Sequence, residues 1–360
     1  MTQVAIVGIQ GVPAKYGGFE TLVENIIGDN CCSEICYTVF CSGKDYATRM
    51  KSYKGARLKY VPLFHANGIQ STPYDILSML KCLRGYDAVV ILGVSGCIFL
   101  PIFRLLYRKH LIVNIDGLEH RRAKWGKFAK WFLRTSEAMA VHHADVIIAD
   151  NKGIQDYVWN TYQKKAELVA YGGDHAQRDV TEERQNEILK RYGIDSGCYA
   201  VSVCRIEPEN NCHLILKAFA TAGENLVFVG NWERSEYSRR LKKEYQDRQN
   251  IQMLDSVYDL DVLYALRNQC RCYIHGHSAG GTNPSLVEAM FFGKPILAFD
   301  VIYNRETTEN KAHYFKTSEE LVKLLHSRAK DGCKMQEIAT KRYTWSFIAQ
   351  QYRMLILSHK

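Results

Sequence analysis

The sequence predicts an α/β protein with two doubly wound parallel sheets. Short runs rich in Val and Ile alternate with amphipathic stretches of helical period, as expected for buried parallel strands joined by crossover helices. These runs fall into two series, separated by the polar segment 175–197. The 360 residues suffice for two domains, each with its own core. We therefore expect two sheets facing a cleft at their strand C-termini, where such sheets bind ligands.

The element assignment follows these runs. The first helix places Leu22, Val23 and Ile26 on one apolar face. The first domain is assigned to 1–175 and the second to 176–342, and a final helix at 343–360 could pack back on the first domain. The predicted strands are 3–9, 37–41, 57–63, 87–93, 110–116, 144–150 and 166–171 in the first series, and 199–206, 226–230, 251–254, 271–276 and 295–300 in the second.

Composition narrows the class of protein. The 47 Lys and Arg residues exceed the 38 Asp and Glu residues and give a net charge of +9, which is compatible with nucleic acid, anionic lipid or phosphorylated small molecules as partners. The longest apolar stretch, 94–106, contains Arg104 and is shorter than the ~20 residues that span a bilayer. The apolar run 4–7 lacks the basic start of a signal peptide. We expect a cytoplasmic protein.

The cysteine spacing argues against a metal site. The chain has 12 cysteines, and none of them belongs to a paired CxxC…CxxC framework. We expect reduced thiols that act as small buried hydrophobes, and no bound metal.

The first strand leads into a long glycine-containing loop, GIQGVPAKYGGFE, at 8–20. Gly17 and Gly18 precede the helix, where free N–H groups can face an anion. The spacing of Gly8 and Gly11 does not fit the dinucleotide GxGxxG motif, which argues against a nicotinamide dehydrogenase. Two interpretations remain: an ordinary turn, or a loop that faces substrate or phosphate, since it exceeds the usual 2–6 residues.

Three further positions lie at or just after the C-terminal ends of predicted strands. Arg205 could hold a diphosphate bidentately or form a surface salt bridge. Asp116 is either a catalytic or acceptor-positioning carboxylate or a turn residue before Gly117. Glu119 is a second catalytic candidate.

The segment 275–296 carries the strongest pattern. A strand and a Gly-Gly loop lead to Asn283 as N-cap and Pro284 at the first helical position. Free N–H groups over 281–286 then form a positive helix end. Glu288, one turn later, could accept two sugar hydroxyls or be a solvated carboxylate.

A basic stretch follows Glu119. Between Arg121 and Arg134 lie six basic residues and no acidic one. A helical wheel places Lys127, Lys130 and Arg134 on one face, which either docks on an anionic membrane or is the solvated side of a helix whose apolar side lies in the core. Binding of nucleic acid is a third interpretation of this stretch, but the sequence contains no recognised nucleic-acid-binding motif beside it. The apolar side comprises Phe128, Trp131, Phe132, Thr135 and Met139.

Several of these segments resemble known glycosyltransferases. Arg205 in its strand–loop–helix setting, Glu288-Ala289-Met290 and Gly293-Lys294-Pro295 resemble the donor domain of family 4 glycosyltransferases, which have the GT-B fold of two facing Rossmann-like domains. The opening block GIQGVPAKYGGFETLVE and the segment NIDGLE at 114–119 resemble a narrower group. That group comprises bacterial rhamnosyltransferases that build capsule, O-antigen or cell-wall polysaccharide. The resemblance covers essentially the whole chain.

The resemblance implies a retaining transfer without a metal from a nucleotide diphosphate sugar. The donor would be dTDP-L-rhamnose, with a UDP-hexose as the alternative, and the acceptor a saccharide on a lipid diphosphate at the membrane. In this scheme Arg205 and the N–H groups near Gly281 and Thr282 bind the diphosphate. Glu288 binds the ribose, and Gly17 and Gly18 close over the donor.

Two positions depart from the family pattern. Gly280 stands where the family's Glu-x7-Glu motif has its first glutamate. Asn210 stands where the family has a lysine five residues after the arginine. Asn210, Asn211 or a basic residue from elsewhere would then take over the phosphate contact.

Overall fold

The chain forms two compact units. The computed structural model describes residues 1–15, 17–28, 34–66, 68–122, 125–327 and 332–358. The first unit comprises 1–171 with 345–360, and the second unit comprises 172–344. The sequence predicted that the first domain ends at residue 175 and the second at residue 342.

The first unit is a mostly parallel sheet with helices between its strands. Its strands are β1 (Thr2–Val7), β2 (Ile35–Ser42), β3 (Ser52–Tyr53), β4 (Ala56–Val61), β5 (Ala88–Leu92), β6 (His110–Asn114), β7 (Val146–Ala149) and β8 (Glu167–Leu168). Its α-helices are α1 (Gly18–Gly28), α2 (Ser71–Leu80), α3 (Leu100–Leu106), α4 (Lys127–His143), α5 (Lys152–Tyr162) and, at the end of the chain, α14 (Trp345–Leu357). The strand order is β3-β4-β2-β1-β5-β6-β7-β8, and β3 is antiparallel to β4 while the other neighbouring pairs are parallel.

The second unit is a parallel sheet covered by helices. Its strands are β9 (Ala200–Val203), β10 (Leu226–Val229), β11 (Ile251–Leu254), β12 (Cys272–His275), β13 (Ile296–Phe299) and β14 (His313–Phe315). Its helices are α6 (Glu182–Tyr192), α7 (Cys212–Ala222), α8 (Glu236–Tyr245), α9 (Leu260–Asn268), α10 (Pro284–Met290), α11 (Ile302–Thr307), α12 (Ser318–Ser327) and α13 (Cys333–Arg342). The order is β11-β10-β9-β12-β13-β14.

This architecture confirms the predicted α/β class with two parallel-sheet domains. The central strands β5 and β6 are buried at every residue, as expected for strands covered on both faces. Helix α1 buries the predicted face of Leu22, Val23 and Ile26. Each of the twelve predicted strands is present. The structure adds the short edge strands β3 and β14, whose two and three residues are too few for a periodic pattern.

Strand order sets where ligands can bind. In each sheet the order reverses between two neighbouring parallel strands, β1 and β5 in the first unit and β9 and β12 in the second. Loops that leave the carboxyl ends of strands at such a switch point form the usual ligand crevice of open α/β sheets. The loops after β1, β9 and β12 are the glycine-, Arg205- and Gly-Gly-containing segments identified from the sequence.

Helix α14 belongs to the core of the first unit. Trp345, Ile348 and Ile356 join the cluster that contains β1 and α1 side chains. The Tyr352 hydroxyl accepts a hydrogen bond from the Asn114 side chain at 2.7 Å, and His110 Nε2 lies 2.9 Å from the carbonyl oxygen of residue 355. These contacts tie α14 to the buried strand β6.

Asp75 gives the first unit a pH-dependent stability. It is only 4% exposed, and burial raises its pKa to about 7, although hydrogen bonds from Ser95 and the Gly96 backbone oppose that shift. Because the unfolded carboxyl titrates near ~4, the folded state holds a proton between about pH 4 and 7 that the unfolded chain releases. Stability is therefore expected to fall as pH rises through this window and to be lower by about 2–4 kcal/mol above it.

Asp75→Asn tests this expectation, because the amide is neutral at every pH. Urea denaturation should show the variant gaining stability over the wild type from pH 5 to pH 8. Asp156→Asn, at an exposed ion pair with Lys152, is the matched control and should show no such trend. An equal difference between Asp75→Asn and wild type at both pH values would contradict the assignment.

Candidate functional site

The loops after β9 and β12 are bound to each other at the switch point of the second sheet. The backbone N–H and hydroxyl of Ser278 both donate to the Glu209 carbonyl at 2.8 Å. The Asn211 amide donates to the Gly276 carbonyl at 2.9 Å. A Cβ on Gly276 would lie 2.1 Å from the Asn210 carbonyl oxygen, so this close approach requires glycine. The two loops thus form one rigid rim within the second unit.

Asn210 and Asn211 hold this rim in place. Asn210 is buried, its amide donates to the Arg205 carbonyl at 2.6 Å, and its oxygen lies 2.7 Å from His277 Nδ1. Asn211 adopts a left-handed conformation with φ of 48° immediately before α7. The positions expected to replace the family's lysine therefore order the Arg205 loop, and their direct contact with a donor stays a prediction.

Arg205 supplies a partly exposed cation to this rim. Its side chain is 34% exposed, and its guanidinium lies 3.7 Å from the Glu207 carboxylate, too long for a strong charge-assisted bond. The backbone carbonyl of Arg205 is fixed by Asn210. The Arg205 backbone is therefore held in place while its guanidinium is partly exposed and weakly paired. Such a guanidinium can leave Glu207 and bind an anion instead.

The Gly-Gly loop leads to the helix cap that the sequence predicts. The Asn283 side chain accepts from the Ser285 N–H at 3.0 Å, and Pro284 begins α10. Gly280 has a φ of +102°, a conformation that glycine adopts freely. Gly281 and Thr282 are buried within this loop.

Glu288 lies in a partly buried ion-pair cluster, with 18% of its side chain exposed, rather than on a solvated helix face. Its Oε2 lies 2.5 Å from Arg267 on α9, and its Oε1 lies 3.3 Å from His175 Nε2. Burial raises the pKa of Glu288, but the charges of Arg267 and His175 and their hydrogen bonds outweigh burial and hold it below its ordinary value. The carboxylate is therefore ionised at neutral pH, and each oxygen keeps a lone pair for a further donor.

Sequence reasoning missed Arg267 and His175. Arg267 is one of the four buried residues of α9, with Val262, Ala265 and Leu266, and its spacing from Glu288 follows no motif. His175 lies at the edge of the polar segment assigned as a linker. The sequence offers one signal here. An arginine within a largely apolar helical segment could have indicated a buried cation that needs a charged partner.

Two carboxylates of α1 accept hydrogen bonds from the backbone of the glycine-containing loop in the first unit. Glu20 accepts from the Gln10 N–H at 2.9 Å, and Glu24 accepts from the Ala14 N–H at 2.7 Å. Burial raises the pKa of Glu20. Gly17 has a φ of 127°, and a Cβ there would lie 2.0 Å from Glu20 Oε2. The backbone conformation and the nearby Glu20 carboxylate thus explain why residue 17 is glycine. Contact of Gly17 and exposed Gly18 with a donor stays a prediction.

Asp116 and Glu119 follow β6 in the first unit. Asp116 has a φ of 60°, and its N–H donates to Asn114 Oδ1 at 3.0 Å, which agrees with a turn residue before Gly117. Glu119 accepts from Arg122 Nε at 2.8 Å and from Trp125 Nε1 at 3.0 Å. The carboxylate of Glu119 therefore organises this loop, and a catalytic role of either residue stays a prediction.

The face of α4 that is buried differs from the apolar face that the helical wheel predicted from the sequence. Phe128 and Trp131, placed on the apolar side and assigned to the core in one interpretation, are 76% and 61% exposed. The helix instead buries Leu133, Ser136, Glu137, Ala140 and Val141. Ser136 donates to the Val94 carbonyl at 2.5 Å, and Glu137 accepts from Tyr157 and Tyr162 and faces His120. Of the basic residues in this stretch, Lys124 lies outside the described residues.

In the part of the chain that the structure describes, no group of three or more His, Cys, Asp or Glu side chains could hold a metal ion. Ten cysteines are free thiols there, and Cys31 and Cys32 lie outside it. Among the described helices none is long and apolar enough to cross a membrane.

Two family models each match one part of the chain. Residues 184–343 match glycosyl transferases group 1, and residues 1–174 match a domain of unknown function, DUF1972. No curated protein matches the sequence. The second unit therefore carries a group 1 glycosyltransferase domain.

Solved structures show the same fold along the whole chain. Sucrose-phosphate synthase from Thermosynechococcus elongatus superposes with a TM-score of 0.81 at 15% identity, covering 99% of this chain and 100% of that chain. Anabaena HepE in complex with UDP gives 0.75 at 15% identity, with 99% and 100% covered. The catalytic domain of Arabidopsis thaliana starch synthase IV, bound to ADP and acarbose, gives 0.72 at 12% identity, with 99% and 98% covered. The chain has the GT-B fold, and its predicted class, a glycosyltransferase, is confirmed at that level.

Proposed function

We propose that this protein transfers a sugar, L-rhamnose, from dTDP-L-rhamnose to a saccharide on a lipid diphosphate in bacterial surface polysaccharide synthesis, with retention of configuration. The observation that supports a nucleotide diphosphate donor is the rim of the second sheet. There Arg205 is weakly paired at 3.7 Å, while the loops around it are fixed by Asn210, Asn211 and Ser278. This is a prearranged anion site in a glycosyltransferase domain.

Arg205 would stabilise the departing diphosphate. In a front-face transfer the acceptor hydroxyl attacks on the side of the leaving group, the glycosidic carbon–oxygen bond to phosphate breaks, and a phosphate oxygen takes the proton of the hydroxyl. Negative charge then builds on the diphosphate, and prearranged donors aimed at that charge are the main contribution a protein can make. The N–H groups near Gly281 and Thr282 would share this task, and no metal is needed in the scheme.

Glu288 would bind the nucleoside sugar. Because Arg267 and His175 each occupy one side of the carboxylate, two lone-pair directions remain for hydroxyl donors. A ribose can donate through O2′ and O3′, and the deoxyribose of a thymidine nucleotide through O3′ alone. Glu288 therefore accommodates either nucleotide, and the base must supply the preference for dTDP.

A UDP-hexose is the second candidate donor. It is favoured by the solved complexes of Anabaena HepE with UDP and with UDP-glucose, whose fold this chain shares. The match of residues 184–343 to glycosyl transferases group 1 favours both donors over the nucleic-acid-binding alternative.

The acceptor side of the proposal draws on the first unit. Asp116, at the carboxyl end of β6, would position the acceptor hydroxyl, with Glu119 shaping its loop through Arg122. Lys127, Lys130 and Arg134 on α4 would hold the enzyme at the anionic inner face of the plasma membrane, where a lipid-linked acceptor is found.

A thermal-shift screen over dTDP-L-rhamnose, dTDP-glucose, UDP-glucose and GDP-mannose tests the donor. At about a hundred times its Kd a ligand adds ~2.7 kcal/mol of stability, so the true donor should raise Tm by several degrees. We expect dTDP-L-rhamnose to give the largest shift. A larger shift with UDP-glucose would replace the donor, and equal or absent shifts with all four would overturn the proposal.

A further inference from the structure

His277 is fixed inside the Gly-Gly loop that joins β12 to α10. The residue is 8% exposed, and its ring nitrogen Nδ1 lies 2.7 Å from Asn210 Oδ1. Its backbone carbonyl accepts a hydrogen bond from the Asn304 amide at 2.8 Å. His277 is therefore held through both its ring and its backbone, which gives the imidazole a defined place in the loop.

Asn210 determines which nitrogen of this imidazole carries the proton. The Asn210 amide nitrogen donates to the Arg205 carbonyl at 2.6 Å, so the amide oxygen is the atom that faces His277. An amide oxygen only accepts hydrogen bonds, and a neutral imidazole has one N–H. Nδ1 is therefore the donor of the neutral ring, and Nε2 is its acceptor nitrogen.

This acceptor nitrogen lies against Gly280. A Cβ on Gly280 would lie 3.4 Å from His277 Nε2. Because glycine has no side chain, the edge of the imidazole borders this part of the loop. Gly281 and Thr282, whose N–H groups bind the diphosphate in the proposed function, come next in the chain. Nε2 is therefore close to the site proposed for the diphosphate.

The chemistry of an acceptor nitrogen limits what it can recognise. Ionised phosphate oxygens accept hydrogen bonds and offer no proton to Nε2. The sugar bonded to the diphosphate carries several hydroxyl groups, and each of them can donate. A site built to bind a hydroxyl discriminates against a ligand that lacks it. The sugar is therefore the part of a nucleotide diphosphate sugar that matches Nε2 at this place.

We propose that His277 Nε2 accepts a hydrogen bond from a hydroxyl group of the donor sugar, which makes His277 a specificity-determining residue for the sugar nucleotide. Its role differs from that of Arg205, which in the proposed function contacts the diphosphate before and after transfer. The nucleotide left after transfer lacks the sugar and loses this contact, which favours its release. The inference rests on the proposed function in taking a nucleotide diphosphate sugar as the donor.

Isothermal titration calorimetry tests the proposal by comparing dTDP with dTDP-L-rhamnose and UDP with UDP-glucose. In His277→Asn the amide nitrogen replaces Nδ1 as the donor to Asn210, while the acceptor at Nε2 is lost. This variant should bind the sugar nucleotide about tenfold more weakly than wild type, and the nucleotide alone equally well, because one hydrogen bond to the sugar is removed. In His277→Gln the side-chain oxygen can reach the place of Nε2, and part of the lost affinity should return.

A second measurement needs no loss of the side chain. In wild type with nitrogen-labelled histidine, the Nε2 resonance that His277→Gln removes should shift when the sugar nucleotide is added and stay in place with the nucleotide alone. His213→Asn, at an exposed histidine of α7 that is hydrogen-bonded to Tyr237, is the matched control and should bind all four ligands like wild type.

The outcomes separate this inference from the donor proposal. Equal losses for nucleotide and sugar nucleotide in His277→Asn would assign His277 to the diphosphate or to the packing of the rim and overturn the inference. Wild-type affinity of His277→Asn for both ligands would overturn it too, and the donor proposal would survive either result. Failure of the wild type to bind any of the four ligands would overturn the proposed function and this inference with it.

Discussion

Arg205→Ala is expected to weaken binding of dTDP and UDP by about a hundredfold or more. A guanidinium that forms two charge-assisted hydrogen bonds to a diphosphate contributes ~3 kcal/mol or more, and the Arg205 loop, 204–211, holds no other cation. Among the described residues, the ion-pair partner of Arg205 is Glu207 at 3.7 Å, so removal of the guanidinium leaves little unsatisfied there. Isothermal titration calorimetry with each nucleotide measures the loss directly.

Two further variants define what Arg205 does. Arg205→Lys keeps the charge but loses the planar fork, so its affinity should lie between alanine and wild type. Arg184→Ala, at an exposed pair with Glu187 on α6, is the matched control and should bind normally. Near-wild-type affinity in Arg205→Ala would show that the diphosphate is held elsewhere.

Arg267→Met is expected to lower the free energy of unfolding by about 3 kcal/mol, because it leaves the largely buried Glu288 carboxylate, whose side chain is 18% exposed, without its buried cation. Nucleotide affinity should fall as well, since Glu288 then protonates or turns away. Urea denaturation at pH 7 measures the first effect and calorimetry the second. Arg178→Met, at an exposed pair with Asp261, should change stability little.

The double variant Arg267→Met/Glu288→Leu distinguishes a broken pair from lost packing. Replacing both charges with apolar groups should restore much of the stability and none of the nucleotide binding. The pKa of Glu288 is lowered on folding, so its stabilising contribution is present above the unfolded value near ~4 and is lost as pH falls below it. The wild type should therefore lose stability relative to the double variant below about pH 4. A double variant no more stable than Arg267→Met would contradict this account.

The fold and the site differ in how far the sequence predicts them. Strands and the Asn283 cap follow from local patterns, because burial of Val and Ile and the cap hydrogen bond act over a few residues. The Glu288 cluster depends on Arg267 and His175, which come from other elements and carry no spacing rule. The family resemblance pointed to Glu288, whereas its partners required the tertiary structure.

Helix α4 shows a second limit of sequence patterns. Two stripes compete on its surface, and the aromatic one is the more hydrophobic. The buried stripe contains Ser136 and Glu137, which are tolerated inside because Val94, Tyr157 and Tyr162 supply their hydrogen bonds. Those partners lie on other segments, so a wheel drawn from α4 alone selects the wrong face.

The place of α14 has a consequence for synthesis. The second unit is one continuous segment, 172–344, and can close its sheet as soon as that segment has left the ribosome. The first unit cannot complete its core before Trp345, Ile348 and Tyr352 have been translated, which happens only after the whole second unit. The first unit is therefore the later of the two to finish folding. A nascent chain stopped before residue 345 would contain a folded second unit and an incomplete first unit, exposed to chaperones and proteases.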